Sequence, residues 1–255
     1  MYAIKSIHFI GINLKRLFDF LAALFGLVIA SPILLPVMFL VWKQDGCSPF
    51  YIAPRVGKDG QLFKMVKLRS MVINANKTGV DSTGANDTRI TPVGHFIRKY
   101  KLDELTQLWN VLIGDMSIVG PRPNVQRETD LYSEVEKKLL SIQPGITDFS
   151  SIVFSDEGEI LEDKEDPDLS YNQLIRPWKS RLGIVYIDNL SIFLDLQLIY
   201  YTVVAIISRE KALHWVAEKL QHMGVDDEVI AVSRRENELV PFPPPGHDEI
   251  VTARY

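Results

Sequence analysis

At 255 residues the chain is long enough for one catalytic domain with an anchor and short for two domains with separate cores; its lone Cys47 excludes an intrachain disulfide and a cysteine-built metal centre. An apolar share of 47% and a mean hydropathy of +0.05 lean toward a membrane, while 24% charged residues require a part that faces water. The net charge of −4 conceals an asymmetry, with 14 Lys/Arg against 5 Asp/Glu in residues 1–102 and 14 against 27 in residues 103–255, so the first part suits anionic headgroups or a phosphorylated ligand, unless it is only a solvated basic surface.

From Phe20 to Trp42 no residue is charged, and at ~1.5 Å per residue such a run reaches across a ~30 Å hydrocarbon core. Ser31-Pro32 and Pro36 lie inside it. Proline removes a backbone donor, so the helix is expected to break near Ser31, whose hydroxyl can take up a freed carbonyl. Lys5, Lys15 and Arg16 precede the run, and Lys43, Arg55, Lys58, Lys64, Lys67 and Arg69 follow it. Positive charge on both flanks favours both ends on the cytoplasmic side, as a helix that enters, breaks and returns would have them. A kinked spanning helix is the alternative. Asp19, one turn beyond Lys15, is expected to pair with Lys15 and Arg16.

Residues 51–71 read as two strands around Gly57-Lys58-Asp59-Gly60, a hairpin whose glycines lack both dinucleotide-fold and P-loop spacing. The polar stretch 74–92 reads as a loop. Leu102, Leu105, Leu108, Trp109 and Leu112 recur at helical spacing, predicting one amphipathic helix over Lys101–Ile113, ended by Gly114. Asp103 and Glu104 fall in its first turn, where the helix dipole lowers a carboxylate pKa; taken alone, the pair reads first as ordinary capping chemistry. In GDMSIVGPRP (114–123) the flanking prolines restrict Arg122, as a phosphate clamp requires. A short helix is expected over Glu134–Ile142, a turn at Pro144-Gly145, and helices over 173–187 and 192–207. The last is too short and polar to span, leaving an interfacial helix or a core helix. Residues 233–255, with Pro243-Pro244-Pro245, read as disordered or partner-contacting. His8, His95, His214, His222 and His247 show no close ligand spacing and read as structural.

The motifs KRLFDF (15–20), Ser31-Pro32, FKMVKLRSM (63–71), VGHFIRKYKLDELTQLWNVLIGDMSIVGPRP (93–123), QPGIT (143–147) and SIFLDLQLIYYT (191–202) together make the chain resemble the bacterial sugar transferases, monotopic polyprenyl-phosphate phosphoglycosyl transferases. The resemblance runs over roughly residues 13–208. It implies a mostly helical α/β fold, a compact membrane-associated catalytic domain with a re-entrant anchor in residues 1–42, a transferase domain in 43–208 and an extension in 209–255. It implies transfer of a sugar 1-phosphate from a UDP-sugar to polyprenyl phosphate with Mg²⁺ and release of UMP, on the cytoplasmic face of the bacterial inner membrane. Asp103 would be the nucleophile, carrying a covalent phosphosugar, and Glu104 would assist; both would hold the metal. Lys67, Arg69, Arg98 and Arg122 would contact the diphosphate, although salt bridging or snorkelling at the membrane accounts for Arg69 as well. Partners would be the UDP-sugar, the lipid phosphate and phospholipids but no nucleic acid, with the extension serving self-association or contact with later glycosyltransferases. Three departures stand out: Thr106 replaces a common proline, PGITDFSSIVF replaces PGITGxAQ, a segment expected to line the sugar pocket, and the tail after about residue 208 has no counterpart in the family pattern.

Overall fold

The computed structural model describes residues 2–75 and 87–253, with side chains from Leu14 onward. Most of the loop expected at 74–92 lies outside the described residues. The chain begins with helix α1 (Tyr2–Asp45), whose helical assignment runs unbroken through Pro32 and Pro36. The expected interruption is therefore absent. Pro32 cannot donate to the carbonyl of Val28, but the Ser31 hydroxyl does so at 2.8 Å, so the helix keeps its bonding where a break was anticipated.

One stripe of α1 is buried: Asp19, Ala23, Ala30, Leu34, Val37 and Val41. The opposite face, including Leu21, Phe25, Val28, Ile29, Ile33 and Phe39, is apolar and exposed. Gly26 sits in the buried stripe because a Cβ there would lie 3.0 Å from Leu108. The domain grips this stripe from end to end. Lys15 bonds Asp195 at 2.7 Å, Asp19 accepts from the amide of Ile118 at 3.0 Å, and Arg16 donates to the carbonyl of Leu112 at 2.8 Å. At the far end Asp45 pairs with Arg69. The expected pairing of Asp19 with Lys15 is a loose 4.0 Å contact, since the Lys15 ammonium spends its short bond on Asp195.

Next come β1 (Phe50–Val56) and β2 (Leu62–Leu68), antiparallel with Tyr51 opposite Lys67, forming the expected hairpin. Helix α2 (Pro92–Lys99) follows, capped by the Thr91 hydroxyl on the amide of Gly94. The single helix expected over 101–113 is two pieces, α3 (Leu102–Leu105) and α4 (Leu108–Ile113). Between them the backbone tightens to i→i−3 bonds, Gln107 to Glu104 at 3.0 Å and Trp109 to Thr106 at 3.1 Å. Gly114 ends α4 as expected, with φ 102°.

Strand β3 (Ser117–Val119) precedes α5 (Gln126–Thr129), and the short helix expected at 134–142 is a 3₁₀ helix over Glu136–Ser141. The expected turn at Pro144-Gly145 opens strand β4 (Gly145–Thr147), which pairs in parallel with β3. The remainder is helical: α6 (Phe149–Val153), α7 (Glu157–Ile160), α8 (Pro167–Leu174), α9 (Arg176–Asp188), α10 (Ile192–Ile207), α11 (Arg209–His222) and α12 (Asp227–Arg234). The fold is thus mostly helical α/β, its strands among the described residues confined to two short pairs.

The main core joins Phe149 and Val153 of α6, Trp178, Leu182 and Tyr186 of α9, Leu194 and Leu198 of α10, Val216 and Leu220 of α11 and Ile230 of α12. Residues 235–253 lack regular structure but lie against this body: Phe242 stacks on Trp178 at 4.4 Å, Ser133 donates to the carbonyl of Pro245, and Gln173 donates to that of Val251. On α10 one side is buried while Phe193, Leu196, Tyr200, Val203 and Ile206 form an exposed apolar stripe.

Candidate active site

The candidate residues are assembled on the edge of the hairpin. Asn110 of α4 accepts from the amide of Val66 at 2.9 Å and donates to the carbonyl of Lys64 at 2.8 Å, completing the free edge of β2 as a further strand would. The Thr106 hydroxyl contacts the carbonyls of Val66 at 3.2 Å and Asp103 at 3.0 Å. Thr106, where the resembling family commonly has proline, therefore adds a tie between α3 and β2. Lys101, at φ 52°, turns the chain from α2 into α3; a left-handed position costs an L-residue roughly 1 kcal/mol, and here it delivers the carboxylates into the site.

These ties bring Lys67 to Asp103, with Nζ 3.9 Å from Oδ2, and Arg122 to Glu104, with Nη2 2.6 Å from Oε1. Lys67, Arg98, Arg69 and Asp103 line one cleft of about 760 Å³, which Tyr51, Met71, Val72 and Ile73 wall on an apolar side. Arg98 donates to the Ser70 hydroxyl at 3.0 Å. Arg69 is committed: its guanidinium pairs with both Asp45 oxygens and donates to the carbonyl of Ser48 at 2.9 Å, so it fastens the end of α1 while lining the cleft. Ser31 and Pro32 lie on α1, away from this constellation.

Sequence reasoning passed over Arg55 as a site residue. It lines the same cleft, and among the described residues it has no carboxylate partner, donating only to the neighbouring carbonyl of Pro54 at 2.9 Å. The signal was present in the hairpin alternation, since Tyr51, Ala53 and Arg55 share the strand face that carries Lys67. With Arg69 and Arg89 paired to Asp45 and Asp87, three cations remain against Asp103: Arg55, Lys67 and Arg98. Such a surplus suits a ligand with several negative charges.

The adjacent carboxylates behave oppositely. Burial pushes the Asp103 pKa up, against the pull of Lys67, and its neighbour Glu104 adds to the rise. The lowering expected from the helix start is overturned, because a helix of four residues offers little dipole and desolvation outweighs it. Burial alone would raise Glu104 too, but Arg122, Lys67 and Lys101 together hold it at about 2. Glu104, paired with Arg122 and held low, thus stands beside a loosely held Asp103 that burial pushes up, two adjacent carboxylates driven apart by their surroundings. Burial pushes Lys67 down, helped by Arg122.

Residues 10–209 match the family described as bacterial sugar transferase. The chain is 34% identical over 216 residues to the UDP-galactose-lipid carrier transferase of Erwinia amylovora, covering 78% of this chain and 41% of that one. It is 35% identical over 212 residues to the exopolysaccharide production protein ExoY of Rhizobium meliloti, covering 77% and 87%. Against the UDP-glucose:undecaprenyl-phosphate glucose-1-phosphate transferase of Klebsiella pneumoniae it is 36% identical over 199 residues, covering 76% and 40%. The chain thus spans about two fifths of the first and third relatives' length and most of the second's.

Proposed function

The chain belongs to the bacterial sugar transferase family, and from that premise we propose that it moves a sugar 1-phosphate from a UDP-sugar to polyprenyl phosphate and releases UMP. The observation that carries the reading is Asp103, set in a cleft with Arg55, Lys67 and Arg98 and beside the Glu104–Arg122 pair. The Asp103 carboxylate attacks the phosphorus that bears the sugar. A bond forms from Asp103 oxygen to phosphorus, the bond to the bridging oxygen breaks, and UMP leaves with that electron pair. An oxygen of polyprenyl phosphate then attacks the same phosphorus and frees Asp103. Two steps keep the anionic reactants from meeting directly, and the surplus cations offset the charge of the diphosphate.

Among the described residues no three His, Cys, Asp or Glu side chains form a metal cage. Magnesium does not need one, since it takes one or two carboxylates with phosphate oxygens; Asp103 and Glu104 would hold it, and it would supply charge neutralisation at the diphosphate.

The chemistry requires a soluble donor and a lipid acceptor at one surface, and α1 is long and apolar enough to enter a membrane. One-sided insertion, with the unbroken α1 sunk along its exposed apolar face, is supported by the attachment of both ends of the apolar run to the same body: Lys15 and Asp19 near β3 and α10, Asp45 on Arg69. A helix so fastened cannot carry its far end across a bilayer without tearing the domain from it. The exposed stripe of α10 would lie in the headgroup region of the cytoplasmic face. In a Cys47→Ser background, Lys5→Cys and Lys58→Cys are expected to react with a membrane-impermeant reagent only from the cytoplasmic side; opposite labelling would establish a span.

The activity is tested by UMP release from UDP-sugars with polyprenyl phosphate and Mg²⁺. Asp103→Asn should abolish release while membrane association persists. Equal release by wild type and Asp103→Asn would exclude this nucleophile, and no release by wild type would favour a non-catalytic role.

A further inference from the structure

Arg122 leaves β3 through Gly120 and Pro121, and α9 packs directly beneath that exit: a Cβ placed on Gly183 would lie 3.6 Å from Cβ of Pro121. Lys179 is one turn earlier on the same face of α9. Its ammonium pairs with the Glu157 carboxylate of α7 and sits 5.4 Å from the centre of the Tyr171 ring of α8. Three helices therefore converge on the side of Arg122. The electrostatics agree, since Glu157 acts on Arg122 after Glu104 does, and both Arg122 and Lys67 act on Glu157.

Glu157 follows the segment PGITDFSSIVF, where the chain departs from the resembling family's pattern. The departure is a built structure. Asp148 caps α6 by accepting from the amide of Ser151 at 2.7 Å and from the hydroxyls of Ser150 at 2.8 Å and Ser151 at 2.8 Å, which fixes the chain that leads into α7. The Glu157 side chain is 36% exposed and Lys179 only 15%, so Glu157 is the more open member of the pair.

We infer that Glu157, held by Lys179 beside Arg122, reads the sugar of the donor. The inference rests on the proposed function, which puts the phosphate bearing the sugar on Asp103, beside the Glu104–Arg122 pair. A pyranose attached to that phosphate would extend beyond Arg122 toward Glu157, where an ionised carboxylate accepts hydrogen bonds from sugar hydroxyl or acetamido N–H groups. A site built to bond such groups discriminates against sugars that present them at another carbon or in the other configuration.

The test is a binding comparison in the Asp103→Asn protein, where no transfer consumes the ligand. UDP-glucose, UDP-galactose, UDP-N-acetylglucosamine and UDP-N-acetylgalactosamine are titrated alongside UDP, with and without Glu157→Gln. Glu157→Gln is expected to raise Kd for the best-bound UDP-sugar tenfold or more, to compress the differences among the four sugars, and to leave Kd for UDP within twofold. Lys179→Met should move the same ratios in the same direction by less. Retained UDP affinity reports that the variants are folded. The inference is overturned if all four sugars keep their affinities, if UDP weakens by the same factor as the UDP-sugars, or if no UDP-sugar binds more tightly than UDP. Absence of UMP release by wild type would sink the transferase reading, and the ratio of UDP-sugar to UDP affinity would still decide the role of Glu157.

Discussion

The anchor and the cleft both concentrate charge, yet they hold it differently. Where α1 meets the domain, Lys15 bonds Asp195 at 2.7 Å, Tyr186 donates to the same carboxylate at 2.6 Å, and the Lys15 ammonium also reaches the carbonyl of Val119 at 3.3 Å. Asp195 is fully buried, and its two oxygens are both used. In the cleft, Lys67 stays 3.9 Å from Asp103, Arg98 donates to a hydroxyl, and Arg55 meets no carboxylate among the described residues. Closed, short networks fix an element in place; loosely paired charges leave bonding capacity for a ligand. Arg69 and Arg98 show why residue type alone misleads. Both are arginines lining one cleft, but Arg69 is bound to Asp45 and fastens α1, whereas Arg98 bonds a hydroxyl and keeps capacity for a ligand.

That contrast predicts separate failures. Lys15→Met leaves Asp195 buried with only the Tyr186 hydroxyl, and breaking a buried pair from one side costs about 3 kcal/mol. Thermal unfolding in detergent should drop by roughly 6–12 °C for a chain of this size. Unfolding at the wild-type temperature would show that the network does not fasten α1. Lys67→Met should leave that temperature nearly unchanged and act on the chemistry instead. Removing the ammonium takes away the attraction that opposes burial, so the Asp103 pKa rises further. In the proposed reaction the ionised carboxylate attacks phosphorus, so the acid limb of kcat/KM for UMP release should move to higher pH, with the loss greater at pH 5.5 than at pH 8. A uniform loss at all pH values would mean that Lys67 only binds phosphate.

The raised pKa of Asp103 also has a cost in stability. A carboxyl that holds its proton more tightly when folded favours folding at low pH, and this contribution is lost as pH rises through the folded pKa. Glu104 works in the opposite sense: held at about 2, it stabilises the fold above its usual carboxylate range, and that contribution is lost as pH falls toward 2. Ionisation of Asp103 works against the fold, and the adjacent Glu104–Arg122 pair offsets it.

Local chemistry made much of this legible in the sequence. Helix α10 falls at 192–207 as expected, because Ser191 caps it on the amide of Leu194 and the apolar run is continuous. The hairpin was written in its turn residues, and Gly114 in the need for a left-handed helix end. What escaped depends on distant partners. Strand β4 is three residues long and exists through pairing with β3, 28 positions earlier. The helix over 101–113 divides where Thr106 and Asn110 turn their side chains to β2, which no periodicity records. At the site, Asp103, Glu104, Lys67, Arg98 and Arg122 were singled out, but not that Arg122 would take Glu104 and leave Asp103 to Lys67. The sign of the Asp103 shift escaped for the same reason, since burial is a property of the assembled cleft.

The most direct measurement is mass spectrometry of the acid-quenched protein after exposure to a UDP-sugar and Mg²⁺ without lipid acceptor. A phosphosugar should appear on the peptide containing Asp103, disappear on addition of polyprenyl phosphate, and never form in Asp103→Asn. Steady UMP release with no adduct on that peptide under the same quench would contradict the account.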